Sequence, residues 1–258
     1  MNIVVCVKQV PDVDDIKWTK ENNLDRSLML SKINLYDEWA LDWAMSIKTK
    51  FIHTNITVIS MGPKQTCDIL NYALAKGATR AILLCDKMFA ASDTLATSKI
   101  LACAIKKYVP DFNVILTGQM AVDGDTAQVP VSLSQLLNIV DITNATEIVN
   151  ADKDTVIVKQ QLDDVINILQ SGTPCLIATK EKCPNGYIPK IEDYIRAQNK
   201  GIEQYCFEDL EISKDEVGIL GSPTVVYKAF RPEVNKDTKE VKGNYSDFIF
   251  DLIKKENK

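Results

Sequence analysis

"NVILTGQMAVDGDTAQVPVSLSQLL", residues 113–137, runs from a β-branched apolar stretch through a polar turn into a stripe of leucines. The first part does not alternate, which is the pattern of a strand buried on both faces, as in a parallel sheet. The turn then holds Gly118, Asp123, Gly124, Asp125, Thr126 and Gln128, and Pro130 falls just inside the helical pattern. Proline fits only where its missing N–H is one of the first free donors of a helix, and deeper placement costs about 3 kcal/mol. The helix is therefore expected to start between Ala127 and Val129, with Val131, Leu133, Leu136 and Leu137 facing inward. None of Ala127, Gln128 and Val129 is a good side-chain cap. Unpaired N–H groups at a positive helix end would suit an anion, most simply a ligand phosphate. A plain helix entry with Asp125 and Gln128 as a capping pair is the competing reading.

Upstream the same unit repeats. "NIVVCV" (2–7), "ITVIS" (56–60) and "AILL" (81–84) are further apolar runs, and between them lie helical patterns over 36–48, 64–78 and 92–108. Strand–helix alternation implies right-handed crossovers and an α/β fold with a doubly wound, mostly parallel sheet. Residues 12–34, rich in Asp, Lys and Asn, read as a hairpin or loop over the sheet edge. After Asn138 short apolar stretches around "NADKD" and "SGTP" predict added antiparallel strands. From about residue 204 periodicity fades until a helical pattern at 245–256, so the chain divides into an α/β body, 1–203, and an extended C-terminal arm, 204–258. So long an irregular arm is rarely stable alone and is expected to wrap a partner chain.

Bulk properties narrow the function. The 258 residues are 46% hydrophobic, enough for a sizeable core, and the formal net charge of -5 argues against nucleic-acid binding. Seven cysteines contain no CxxC pair, which supports neither a zinc nor an iron–sulfur site. With "MNIVVCVK" too short and wrongly charged for a signal peptide, the expected location is cytoplasmic. No apolar run reaches the roughly 20 residues of a membrane span.

The catalytic inventory is short. The one histidine, His53, lies in a segment before a strand, and no Ser/His/Asp or Cys/His constellation can be assembled around it. GxSxG, HExxH, GxxxxGK[ST] and GxGxxG are all missing. Binding is the better expectation, and in an open parallel sheet ligands lie beyond the carboxyl ends of the strands. The segments there are polar and small: "KQVPD" (8–12), "MGPKQ" (61–65), "DKMFAASDTLATS" (86–98) and "GQMAVDGDTAQV" (118–129). "SDTLATS" offers a second anion-friendly helix start, although Ser and Thr there are also ordinary caps.

In this order the loops resemble the beta subunit of electron-transfer flavoproteins. "VCVKQVPD", "NLYDEWAL", "MGP", "SDTLATS" and "DGDTAQV", with "IRAQNKGI" (195–202) and "GSPT" (221–224), carry the resemblance over nearly the whole chain. It implies an alpha subunit carrying its own FAD and a nucleotide in this chain. That nucleotide is AMP in ordinary members and a second FAD in the electron-bifurcating subgroup, which "DGDTAQV" with "KQVPD" resembles. Such members take hydride from NADH and divide the electrons between ferredoxin or flavodoxin and, through the alpha-subunit flavin, a flavin dehydrogenase of acyl-CoA or lactate type. By position, the resemblance places Cys6, Val7 and Lys8 beside the flavin and Asn34 and Asp37 near the adenosine. It sets Met61 and Gly62 at the pocket border, and Thr94 and Thr97 near phosphates or ribose. Asp123, Gly124, Thr126, Ala127, Gln128 and Val129 would hold the diphosphate. Ile191, Tyr194, Ile195 and Ala197 would dock the dehydrogenase, and no residue is implied as a metal ligand or catalytic acid or base. The family's usual Pro after Asn34 is Leu35 here, and its basic residue after Gly118 is replaced by Gln119 and Met120.

Overall fold

The structure is a computed structural model, and it describes residues 1–12, 31–226, 245–246 and 249–250. The chain divides into two compact units, Met1–Val226 and Tyr227–Lys258. In the second, Tyr245, Ser246, Ile249 and Phe250 are helical, and the remainder of the expected terminal helix lies outside the described residues.

The first unit is built on β1 (Asn2–Cys6), β4 (Asn55–Met61), β5 (Arg80–Leu84) and β6 (Val114–Gly118), the four apolar runs of the sequence. They pair in parallel, β1 with β4 and β6, and β4 with β5. Helices α1 (Leu35–Lys50) and α2 (Cys67–Lys76) cover one face, while α3 (Thr94–Tyr108) and α4 (Val129–Leu137) cover the other. Each helix returns the chain to the start of the next strand, so every following loop emerges at the carboxyl edge of the sheet. Two apolar clusters result, one on either side, with Leu41, Leu70 and Ile56 fully buried in the first and Ile100, Ile105 and Ile115 in the second.

Downstream, β7 (Val140–Ala151), β8 (Thr155–Leu162) and β9 (Val165–Gly172) form the expected antiparallel extension. The last segment of that region behaves differently. β10 (Cys175–Thr179) is buried at every residue and inserts in parallel between β6 and β7. β11 (Glu203–Tyr205) then adds a parallel strand beside β5, completing a nine-stranded sheet of order β11-β5-β4-β1-β6-β10-β7-β8-β9. The sequence expectation of a body ending at residue 203 thus meets a compact unit that runs to Val226. Short β2 (Gln9–Pro11), just before the expected 12–34 insert, pairs antiparallel with β3 (Ser31–Ile33), near its far end; residues 13–30 lie outside those described.

Candidate functional site

α4 begins at Val129, with Gln128 as N-cap residue and Pro130 in its first turn. No side chain caps it, so the Asp125/Gln128 capping pair does not form. Gln128 instead accepts a hydrogen bond from the Thr94 hydroxyl at 2.7 Å, joining the starts of α3 and α4. Asp125 and Ala127 take positive φ of 48° and 53°, an uncommon conformation for residues with a side chain, and Gln128 returns to right-handed geometry. The left-to-right alternation turns successive N–H groups toward one concavity, the shape of a backbone anion nest. Gly124 and Asp125 donate to the Ala121 carbonyl, but among the described residues the N–H groups of Thr126 to Val129 have no protein partner. The inward stripe of α4 is narrower than expected: Leu133 is fully buried, whereas Val131 is 40% exposed because it lies on the solvent side of the first turn.

The floor of the cleft is held by the start of α1. Asn34 is fully buried and bridges the loop after β6, its amide nitrogen donating to Met120 O at 2.9 Å and its oxygen accepting from Val122 N at 3.0 Å. Asp37 accepts from Lys8 N at 2.8 Å with one carboxylate oxygen and from Gly118 N at 3.0 Å with the other. It therefore ties together the first residues of the loops that follow β1 and β6. Burial drives its pKa up to about 7, opposed by the hydrogen bonds from Lys8, Asn34 and Gly118 and by the Lys8 charge. Both side chains are thus buried and bonded to the backbone of the loops after β1 and β6. Gly118 is required by this approach: a Cβ there would sit 2.5 Å from Asp37 Oδ1.

Cys6 and Val7 are also nearly closed off, and burial, followed by the Asp37 charge, pushes the Cys6 thiol far above its ordinary value. Lys8 is half-exposed and reaches across the cleft to Asp123. Gly62 packs its backbone against Thr66, whose hydroxyl donates to Gln9 at 2.9 Å, so "MGP" and "KQVPD" are stitched into one wall next to the partly buried Met61. Thr97 lies partly buried on the first turn of α3. Near the floor, the hydroxyl of Thr117 is buried without a partner among the described residues.

Sequence reasoning did not foresee how "SDTLATS" is completed. Asp93 is the N-cap of α3, accepting from Leu95 and Ala96 N, and its second oxygen accepts from both the backbone and the hydroxyl of Thr224. Ser222 in turn accepts from Asp93 N and donates to Gly218 O. The distal "GSPT" thereby closes over the helix start, a contact that neither motif announces alone. Although burial works against it, the bonds from Ala96, Thr224 and Leu95 hold the Asp93 carboxyl below its usual range.

Elsewhere on the first unit, α5 (Ile191–Gln198) packs on α2 and leaves Ile191, Tyr194 and Ile195 at 77%, 40% and 58% exposure, beside Ile188 at 83%. Ala197 differs: at 2% exposure it belongs to the core and anchors the helix. Asp193 fastens the segment, accepting from Lys190 N at 2.8 Å and the Tyr187 hydroxyl at 2.5 Å and pairing with Arg196. Ile188, Ile191, Tyr194 and Ile195 thus leave apolar side chains open to solvent beside a fixed helix end.

The fold is an α/β body whose loops after β1, β4, β5 and β6 gather at the carboxyl edge of its parallel strands, where, among the described residues, the N–H groups of Thr126 to Val129 have no protein partner. The electron transfer flavoprotein domain matches residues 26–192. Similar proteins include the electron transfer flavoprotein subunit beta of Thermoanaerobacterium thermosaccharolyticum, 36% identical over 259 residues and covering 100% of this chain and 98% of the relative. The caffeyl-CoA reductase-Etf complex subunit CarD of Acetobacterium woodii is 35% identical, over 90% of this chain and 88% of its own. Protein FixA of Azorhizobium caulinodans is 34% identical, over 92% and 86%. The chain belongs to the electron transfer flavoprotein family, as a beta subunit. Its work is electron transfer, and among the described residues no helix is long and apolar enough to cross a membrane.

Proposed function

We propose that this chain binds FAD in the cleft above β1 and β6, takes hydride from NADH or returns it, and divides electrons between ferredoxin or flavodoxin and a flavin dehydrogenase. The second route runs through the FAD of an alpha subunit. The observation that carries the reading is the N–H run of Thr126 to Val129 at the start of α4, unpartnered among the described residues. A diphosphate needs several convergent donors, which the nest would supply, and it would compete with Asp123 for the Lys8 ammonium. Asp123 then faces a ribose hydroxyl, and Thr94, with Gln128, borders the phosphates. The wall of Cys6, Val7, Met61 and Gly62 would exclude water from a ring system laid against it.

Bound FAD would supply the hydride and single-electron chemistry. The protein's own tasks are to hold the diphosphate, to orient the ring and to set the field around it through Lys8 and the first loop. CarD, named as a subunit of a reductase–Etf complex, supports a redox assembly as the setting. The exposed face of Ile191, Tyr194 and Ile195 would receive the dehydrogenase, of acyl-CoA or lactate type, and the part of the C-terminal arm beyond Val226 would wrap the alpha subunit. The second reading, AMP held structurally in the same cleft, uses the same nest with one phosphate; a stand-alone adenine-nucleotide binder is the third. Cytoplasmic location accords with the seven free cysteines.

Co-purification with the alpha subunit, followed by extraction and counting of nucleotides, tests the proposal. Two FAD per heterodimer support it; one FAD with one AMP defeats it in favour of the second reading. A chain that purifies alone with bound nucleotide favours the third.

A further inference from the structure

Asp37 is a buried carboxylate that the cofactor reading leaves unused. It stands in the first turn of α1, where the helix end favours negative charge, and each oxygen takes one backbone N–H, from Lys8 and from Gly118. Those two residues open the loops that form opposite sides of the cleft. Lys8 carries the ammonium that reaches Asp123, and Gly118 leads into the segment that ends in the nest. Asn34, on the same helix start, fixes Met120 and Val122, so the far side of the cleft hangs on α1 at three points.

We propose that Asp37 is a proton-dependent positioning residue, clamping the β1 and β6 loops into their nucleotide-binding spacing when ionised and loosening them when protonated. The proposal rests on the nucleotide-binding reading above. An ionised carboxylate accepts at both oxygens, whereas the acid places a proton on one of them, facing an N–H that also donates, and one clamp weakens. The charged and titratable groups around Asp37 are few. Lys8 and Cys6 face it from β1 and the loop that follows, Glu38 and Asp42 share its helix, and Asp123 lies beyond the Lys8 ammonium. From β6 the neighbour is Gly118, and from β10 it is Thr179, whose hydroxyl bonds to Tyr36 O; neither carries charge. Burial against these bonds puts the carboxyl near pH 7, where the two forms exchange within the ordinary working range.

FAD is the suitable probe because its diphosphate keeps a constant charge across this range. If only the ionised form is competent, FAD binding to the nucleotide-stripped full chain weakens as pH falls, about tenfold from pH 8 to pH 6. Asp37→Asn removes that slope. In parallel, the backbone amide resonances of Lys8 and Gly118 in the unliganded wild-type chain shift together with a midpoint near 7. This measurement decides the matter even where Asp37→Asn does not fold. A slope retained in Asp37→Asn, or amides that do not titrate together, overturns the proposal. FAD that fails to bind at any pH while the amides titrate leaves the clamp standing and removes the flavin reading instead.

Discussion

Lys8 and Asp123 meet across the mouth of the cleft, the ammonium 2.7 and 2.9 Å from the two carboxylate oxygens. One residue follows β1 and the other lies in the loop after β6, so the pair links the two loops that would flank the proposed nucleotide. Both side chains are partly exposed, and such a pair contributes about 0.2–1 kcal/mol to folding. Under the proposed function its consequence is local: a phosphate arriving at the nest would compete with Asp123 for the same ammonium. Lys8→Ala is therefore expected to unfold within about 1 kcal/mol of wild type in urea. FAD affinity, measured by flavin fluorescence, should fall about tenfold, near the low end for a lost charge-assisted bond. Unchanged flavin affinity and flavin reduction by NADH would count against any role for Lys8.

Asp37 gives stability its own pH dependence. Its folded pKa, about 7, lies above the ordinary value of 3.8, so the folded state holds the proton more tightly than the unfolded one. The stabilisation is complete below about pH 4 and is lost as pH rises toward and through 7. Urea unfolding of wild type compared with Asp37→Asn between pH 5 and 8 should show the wild-type advantage shrinking with pH, by a few kcal/mol at most. A difference that is constant or grows with pH contradicts the buried-acid assignment. The same charge that costs folding energy is the one that holds the two loops.

How much of this was legible follows from the kind of signal each residue carries. Pro130 placed the start of α4 correctly because proline's constraint is local and independent of tertiary context. The direction of β10 was not legible: "CLIAT" is equally apolar in a parallel or antiparallel strand, and only its neighbours β6 and β7 decide. β11 escaped notice because Glu203, Gln204 and Tyr205 join the sheet through backbone bonds that impose no side-chain pattern. Asn34 and Asp37 stood out as site residues, but that they turn inward depends on loops nearly ninety residues away.

Asp93 and Thr224 illustrate the same limit with a measurable outcome. Asp93 caps α3 and receives two bonds from Thr224, 131 residues distant. Asp93→Ala removes the cap, at a cost of about 1–2 kcal/mol. It should also raise amide exchange across residues 218–226, whereas Thr224→Ala should raise exchange there with a smaller loss of stability. Exchange unchanged in both variants would dissociate "GSPT" from the helix start.

Lys76 is buried, with its ammonium 2.6 Å from Asp42 and 3.1 Å from Glu38, which also accepts from the Tyr72 hydroxyl. Burial pushes the Asp42 carboxyl up, and Lys76 pulls it back down. Removing the cation leaves two carboxylates without their shared counterion, so Lys76→Ala should cost about 3–5 kcal/mol in chemical denaturation. Lys76→Ala paired with Asp42→Ala should recover part of that loss. Wild-type stability in the single Lys76→Ala variant would mean that solvent reaches the cluster freely.

Ile191 and Ala197 lie on one short helix yet have opposite surroundings, 77% and 2% exposed. The contrast separates docking from folding. Ile191→Ser together with Ile195→Ser should leave thermal unfolding within about 0.5 kcal/mol of wild type, since neither side chain is buried. Under the proposed function the same pair should weaken electron transfer to the co-purified dehydrogenase severalfold, because exposed apolar anchors carry much of a contact's energy. Ala197→Asp instead buries a charge in the core and should destabilise the whole first unit. Flavin content provides the control: it stays at wild-type level in the double serine variant and falls in Ala197→Asp. Electron transfer unaffected by the double serine change would remove this face from the docking role, leaving the nucleotide cleft untouched.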